Sequence, residues 1–328
     1  MATLKTRELL DRFYQSNDAS ITHTLKTMVD KPLLFQYEEM IQTDLVDMTD
    51  DQLLELIDRL LHAKQSKSPK QFLNMKSYDT VRNALYHLFE FAISIHPRNN
   101  PFLGPKFKRN QVRQYFASTK EPFTMAHVSE LKKELIYDYG EEQAGYLELI
   151  LLLFYSGFKN YNEIINVEKN DIHWNTKSVS VDGRTIVLTD QCAKLLQRYI
   201  NSAYVHGKYK LFYIVQWKNK IFPYMVLAAN RDKFVDYDLS DLKYVLSQQY
   251  SYYILKPYKM KVSSQMMYYL GLYDRIVQSY GLQRANDIIY GHGSNVEDDR
   301  IRIQTDNDLL NQSFTRIQDS LLPFVRPI

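Results

Sequence analysis

A cation can grip a phosphate oxygen and a tyrosine hydroxyl can attack the phosphorus, so these are the residue types with chemical potential in this chain. The chain holds 26 tyrosines among 328 residues, and Tyr290 is the last of them. It stands in Tyr290-Gly291-His292, directly after the helical run Leu282 to Ile289. From Phe91 to Lys120 there are six basic residues (Arg98, Lys106, Lys108, Arg109, Arg113, Lys120) and no Asp or Glu. Such a stretch lies along a polyanion or repels itself in water, and sequence-independent phosphate contacts are built from such charges. Glu297, Asp298 and Asp299 are consecutive and lack a second ligand cluster, so they read as a solvated turn and not as a metal site. No Gly-rich phosphate loop, Ser/His/Asp constellation or zinc spacing occurs, and no cofactor is implied. The single cysteine, Cys192, excludes an intramolecular disulfide and reads as a small buried apolar residue.

The elements that must position these groups are mostly helical. A chain of 328 residues that is 45% hydrophobic suits two domains with packed cores. Its net charge of +3 says little about partners, so the placement of charge matters more. The first twenty residues mix charged and apolar groups, unlike a signal peptide, and the longest apolar run, Leu149 to Tyr155, is too short to span a bilayer. A cytoplasmic protein without membrane contact is the expectation.

Residues 1 to 62 read as at least two amphipathic helices, with Leu9, Leu10, Phe13 and Tyr14, then Leu53, Leu54, Ile57, Leu60 and Leu61, at helical spacing. Lys64 to Lys76 carries four lysines and Ser68-Pro69, which predicts a solvated loop, and a further helix starts at Ser77. Pro97, Pro101, Gly104 and Pro105 break helix, so the basic stretch reads as an interdomain linker. The expected division is a helical domain over 1–104, the linker over 105–121 and a second domain over 122–328.

In that second domain Thr124 to Tyr139 reads as a helix, and Glu141 to Ser156 as one that is apolar all round and therefore buried. Asp182-Gly183 between Val179, Val181 and Ile186, Leu188 signals a tight hairpin. Asp190 is placed to cap a helix running through Ala203. Leu211 to Trp217 and Ile221 to Ala228 read as another hairpin, and Leu239 to Leu246 and Met266 to Val277 as helices. The fold class expected is mainly α with small β hairpins.

The run Gly157-Phe158-Lys159-Asn160-Tyr161-Asn162-Glu163-Ile164-Ile165, continuing to Asp171-Ile172, resembles the first signature box of tyrosine recombinases, the phage integrase family. Tyr290-Gly291-His292 resembles the Leu-Gly-His element that closes a catalytic helix there. The order of buried helix, first box, Asp-Gly hairpin, capped helix and Tyr-Gly-His covers most of residues 122 to 301, and the helical half ending at Asn100-Pro101-Phe102 is similar to the family's core-binding domain. The resemblance implies a two-domain DNA clamp whose catalytic set is incomplete. The nucleophile position falls on Ile301, between Arg300 and Arg302. The box-one arginine falls on Asn160 counted from Glu163, or on Lys159 counted from Gly157, because one residue is inserted. Lysine lacks the planar two-pronged grip of a guanidinium. Near the hairpin only Arg184 is basic, and the His-x-x-Arg pair falls on Met266 and Tyr269, or on Gln265 and Tyr268.

The leading expectation is therefore a protein that binds double-stranded DNA site-specifically and regulates transcription, of the phage repressor kind, and is not an enzyme. Candidate DNA contacts are Arg82, Lys106, Lys108, Arg109, Arg113, Lys159, Arg184, Lys259 and His292. His292 beside Gly291 is equally suited to ending a helix, and Lys159 to surface solvation. The alternatives are a divergent active recombinase and an interaction partner of recombinases. Phe314 to Phe324 is apolar enough to be exchanged between copies in a homo-oligomer, as family members often do.

Overall fold

The computed structural model describes residues 6–16, 19–29, 31–63, 75–95, 99–119, 121–255, 257–258 and 262–326. It divides into two compact units, Met1–Lys120 and Glu121–Ile328. The architecture is mainly α, with two small three-stranded antiparallel sheets. Among the described residues no helix is long and apolar enough to cross a membrane.

The first unit contains helices α1 (Thr6–Ser16), α2 (Ala19–Met28), α3 (Lys31–Ile41), α4 (Asp50–Ala63), α5 (Met75–Ile95) and α6 (Arg109–Thr119). Where at least two helices were expected over residues 1 to 62, the described residues hold four, the last ending at Ala63. Leu9, Leu10 and Phe13 of α1, Leu53, Ile57 and Leu60 of α4, and Leu85, Leu88 and Phe89 of α5 form its buried core. Helix α5 starts at Met75, two residues ahead of the expected Ser77; most of the expected lysine loop, residues 64–74, lies outside the described residues.

The linker expectation needs correction. Pro101 and Pro105 each open a short 3-10 turn, a position that tolerates proline because its N–H would be unpaired anyway. The buried Asn100 accepts from the Phe102 N–H at 3.0 Å and donates to Glu90 Oε1 at 2.6 Å, which fixes the chain where it leaves α5. Phe102 then packs on Phe89 and Phe107, with ring centroids 5.4 and 4.6 Å apart. Helix α6 comes next with Val112 in the core, so residues expected as linker are a packed part of the first unit.

The second unit is built around α8 (Glu141–Ser156), buried on nearly every side as its all-round apolar sequence requires. Helix α7 (Met125–Tyr139) precedes it, and the short α9 (Tyr161–Asn166) comes after it. Strands β1 (Ile172–His173), β2 (Ser178–Val181) and β3 (Arg184–Val187) form an antiparallel meander. Its tight turn uses Asp182 and Gly183 at φ 47° and 78°, the positive values that the Asp-Gly pair signals.

Helix α10 (Asp190–Ile200) is capped by Thr189, one residue ahead of the expected Asp190; the Thr189 hydroxyl accepts from the Cys192 N–H at 3.1 Å. It also ends three residues before Ala203, and Tyr204–His206 forms strand β4 instead. With β5 (Leu211–Val215) and β6 (Tyr224–Leu227) this gives the second meander. Helices α11 (Leu239–Tyr250), α12 (Ser264–Tyr280), α13 (Leu282–Tyr290), α14 (Val296–Asp306) and α15 (Phe314–Leu321) complete the unit.

The C-terminal segment, read as apolar enough to be exchanged between copies, packs in this single chain on its own unit. Ile317, Leu321, Leu322 and Phe324 are buried, Gln318 donates to Ile289 O at 2.6 Å, and Pro323 O accepts from the Phe123 N–H at 2.8 Å.

Candidate phosphate-binding site

The last carbonyls of a helix have no partner within the helix and carry its partial negative charge, so they draw cations. At the end of α8 two arginines answer. Arg275, from α12, donates through Nη1 to Tyr155 O at 3.0 Å and to Ser156 O at 3.3 Å. Arg184, the first residue of β3, donates through Nη1 to Gly157 O at 3.0 Å and through Nη2 to Glu163 Oε2. Gly157 itself sits at φ 129°, which requires glycine, and a Cβ there would lie 3.6 Å from Arg275 Nη2.

Glu163 is the anion at the centre of this group. It is buried on α9, whose first turn is capped by Asn160 accepting from the Glu163 N–H. Its Oε2 also accepts the Lys159 backbone N–H at 2.7 Å. The Lys159 side chain, 20% exposed, donates through Nζ to Asp308 O at 2.7 Å and to the Asp308 carboxylate.

Three cations, Arg275, Arg184 and Lys159, thus face three carboxylates, Asp274, Glu163 and Asp308. Burial first, and after it the Arg184 charge, lowers the Arg275 pKa, against the opposing influence of Tyr268 and Tyr155. Tyr268 is 4% exposed and its hydroxyl finds no hydrogen-bond partner among the described residues; burial pushes its pKa up to about 12, while Arg275 and Arg184 pull the other way. The arrangement is a partly buried cationic corner suited to holding an oxyanion.

Of the residues singled out in the sequence, Lys159 and Arg184 are brought together here. His292 belongs to a different local structure: Gly291, left-handed at φ 82°, ends α13, and the Gly291 and His292 N–H groups both donate to Asp287 O at 2.8 Å. The exposed His292 ring lies 6.0 Å from that of Tyr290. Ile301, where the resemblance would put a nucleophile, is 51% exposed on α14. Glu297, Asp298 and Asp299, expected as a solvated turn, instead form the first turn of α14, where Glu297 pairs with Arg300 and Asp299 with Arg284.

The basic candidates of the first unit are largely engaged by the chain itself. Arg82 donates to Phe102 O at 2.8 Å and fixes the turn after α5. Lys106 pairs with Asp51 of α4 and Arg109 with Asp79 of α5. Arg113 is 2% exposed, a position from which a guanidinium cannot meet a phosphate in solvent, so its reading as a DNA contact is corrected. Lys108 is exposed, with no ion pair among the described residues. The stretch is free of acids in sequence but not in space, because α4 and α5 supply them. Lys259 lies outside the described residues.

Arg275 was not legible as a site residue. Its only signal is that, with Asp274, it is one of two charged residues in the otherwise neutral and largely buried α12. A cation in such a helix must find carbonyl or carboxylate partners.

No protein-family profile and no curated protein sequence matches the chain. Solved structures do. A crystal structure of XerA recombinase matches at 13% identity and a TM-score of 0.32, covering 95% of this chain and 98% of that one. The Tn1549 transposon integrase in complex with transposon right end DNA matches at 14% identity and a TM-score of 0.30, covering 94% and 98%. The same integrase in complex with a circular intermediate DNA matches at 14% and 0.28, covering 93% and 95%.

Proposed function

We propose that this chain is a site-specific double-stranded DNA-binding regulator of the phage or prophage repressor kind, on a recombinase-like scaffold without strand-cleaving chemistry. The recombinase-like repressor of SPβ-type Bacillus prophages is the kind of regulator meant. The observation that carries the reading is the pairing of a cationic corner with an aliphatic residue, Ile301, where the family resemblance calls for the nucleophile. Lys159 and Arg275 would hold phosphate in such a protein, and Lys108 would add a contact from the first unit. Phosphate contacts fix register on the duplex, whereas sequence is read by groups that reach base edges.

The second reading, a divergent recombinase, has the three gathered cations in its favour. Against it stands Tyr268, the tyrosine whose pKa responds to Arg184 and Arg275: it is buried and its pKa is raised, so it is a poor nucleophile. One experiment separates them. Fragments of the protein's own genome are tested by gel shift and footprinting, and the bound fragment is then run on a denaturing gel. A discrete footprint with no protein-linked strand is expected; a covalent adduct establishes the recombinase, and the absence of any footprint removes the regulator.

A further inference from the structure

We propose that Asp308 is an internal competitor for DNA: its carboxylate holds, on Lys159, the place that a backbone phosphate takes when duplex binds. The inference rests on the DNA-binding reading above and adds its regulation. Lys159 Nζ is held twice by this one residue, by the carboxylate and by the carbonyl oxygen at 2.7 Å. Two oxygens converging on one ammonium are what a phosphodiester would offer in their place.

The competitor is exposed but its backbone is anchored. The Asp308 side chain is 71% exposed, and the residue sits in the left-handed region at φ 51°. Directly after it Leu309 is fully buried and donates its N–H to Gln304 O at 2.7 Å, while Gln304 Nε2 donates to Gln312 O at 2.6 Å. The turn therefore presents a carboxylate to Lys159 from a fixed base. The bond and charge of Lys159, and after them Arg184, hold the Asp308 carboxyl below the usual carboxylate range, so it stays an anion at neutral pH.

Exposed ion pairs contribute little to stability, so exchanging this anion for a phosphate costs the fold little.

The test is a fluorescence titration of the full chain with a labelled mixed-sequence duplex at low salt, where sequence-independent phosphate contacts dominate. Asp308→Asn removes the charge and keeps a residue type that tolerates left-handed backbone. It should tighten binding roughly fivefold, the change that corresponds to about 1 kcal/mol. Asp306→Asn, the same charge change two residues away, should alter it less than about twofold. In a Lys159→Ala background Asp308→Asn should have no effect, because competition needs the shared cation. Unchanged affinity in Asp308→Asn, equal tightening by Asp306→Asn, or tightening that persists without Lys159 would each overturn the proposal. If neither wild type nor Asp308→Asn binds duplex, the DNA-binding reading falls instead.

Discussion

Arg184 and Lys159 share Glu163 yet should behave differently when removed. Arg184 and Glu163 are both largely buried, and their ion pair is the innermost of the group. Arg184→Met leaves a buried carboxylate with the Lys159 N–H and no guanidinium, so the variant should lose about 3 to 5 kcal/mol of stability. Urea unfolding with an unchanged slope and a lower midpoint is the check. Lys159 instead pairs with an exposed partner, so Lys159→Ala should keep its unfolding midpoint while loosening DNA binding about 5- to 150-fold, the loss of one charge-assisted contact. Unchanged affinity at low salt would return Lys159 to surface solvation. Burial also decides Cys192, whose thiol is pushed up to about 12. It should ignore a thiol reagent at pH 8 in the native protein and react fully once unfolded, as thiolate chemistry requires.

At the scale of elements, the cationic corner depends on how closely α12 approaches α8. Gly271 makes this possible: a Cβ there would lie 1.8 Å from Tyr155 O, the carbonyl that Arg275 holds. Gly271→Ala must therefore force the helices apart and destabilise the second unit by about 3 kcal/mol or more, measurable as a lower thermal midpoint. A variant as stable as wild type would mean the contact is softer than drawn. Several of the helices were legible because their signals are local, whereas α9, α14 and α15 were not read as helices. The sequence of α8 is apolar all round, and Asp182-Gly183 announces its own turn. Strands β1 and β4, two and three residues long, were not legible, since neighbours in space and not their own pattern make them strands. Helix α6 was hidden by the prolines before it, which open 3-10 turns where an unstructured linker was expected.

For the whole molecule, the order of elements from buried helix to Tyr-Gly-His could be read from sequence, but the pairing of charges could not. Lys106 finds Asp51 at a separation of 55 residues, and Lys159 finds Asp308 at 149. No local count of acids and bases reaches that far. The same limit applies to Arg275, which meets α8 carbonyls 119 and 120 residues away. The activity expected of such a molecule is binding without cleavage. Transesterification needs a hydroxyl beside the phosphate and a cationic set acting on it as a unit. Tyr290 ends α13 with its pKa pushed up to about 12 by burial, and the later residues on α14 offer only Ile301 at the expected place. Ile301→Tyr would place a hydroxyl on an exposed helix position, but Arg184 remains tied to Glu163 and the cationic set that the resemblance calls for stays incomplete even where a phosphate displaces Asp308 from Lys159. On a nicked duplex carrying the footprinted site, neither wild type nor Ile301→Tyr should leave a protein-linked strand on a denaturing gel. A linked strand with Ile301→Tyr alone would mean that Arg184 also leaves its internal partner and that only a nucleophile was missing; a linked strand with the wild type would establish a nucleophile elsewhere in the chain.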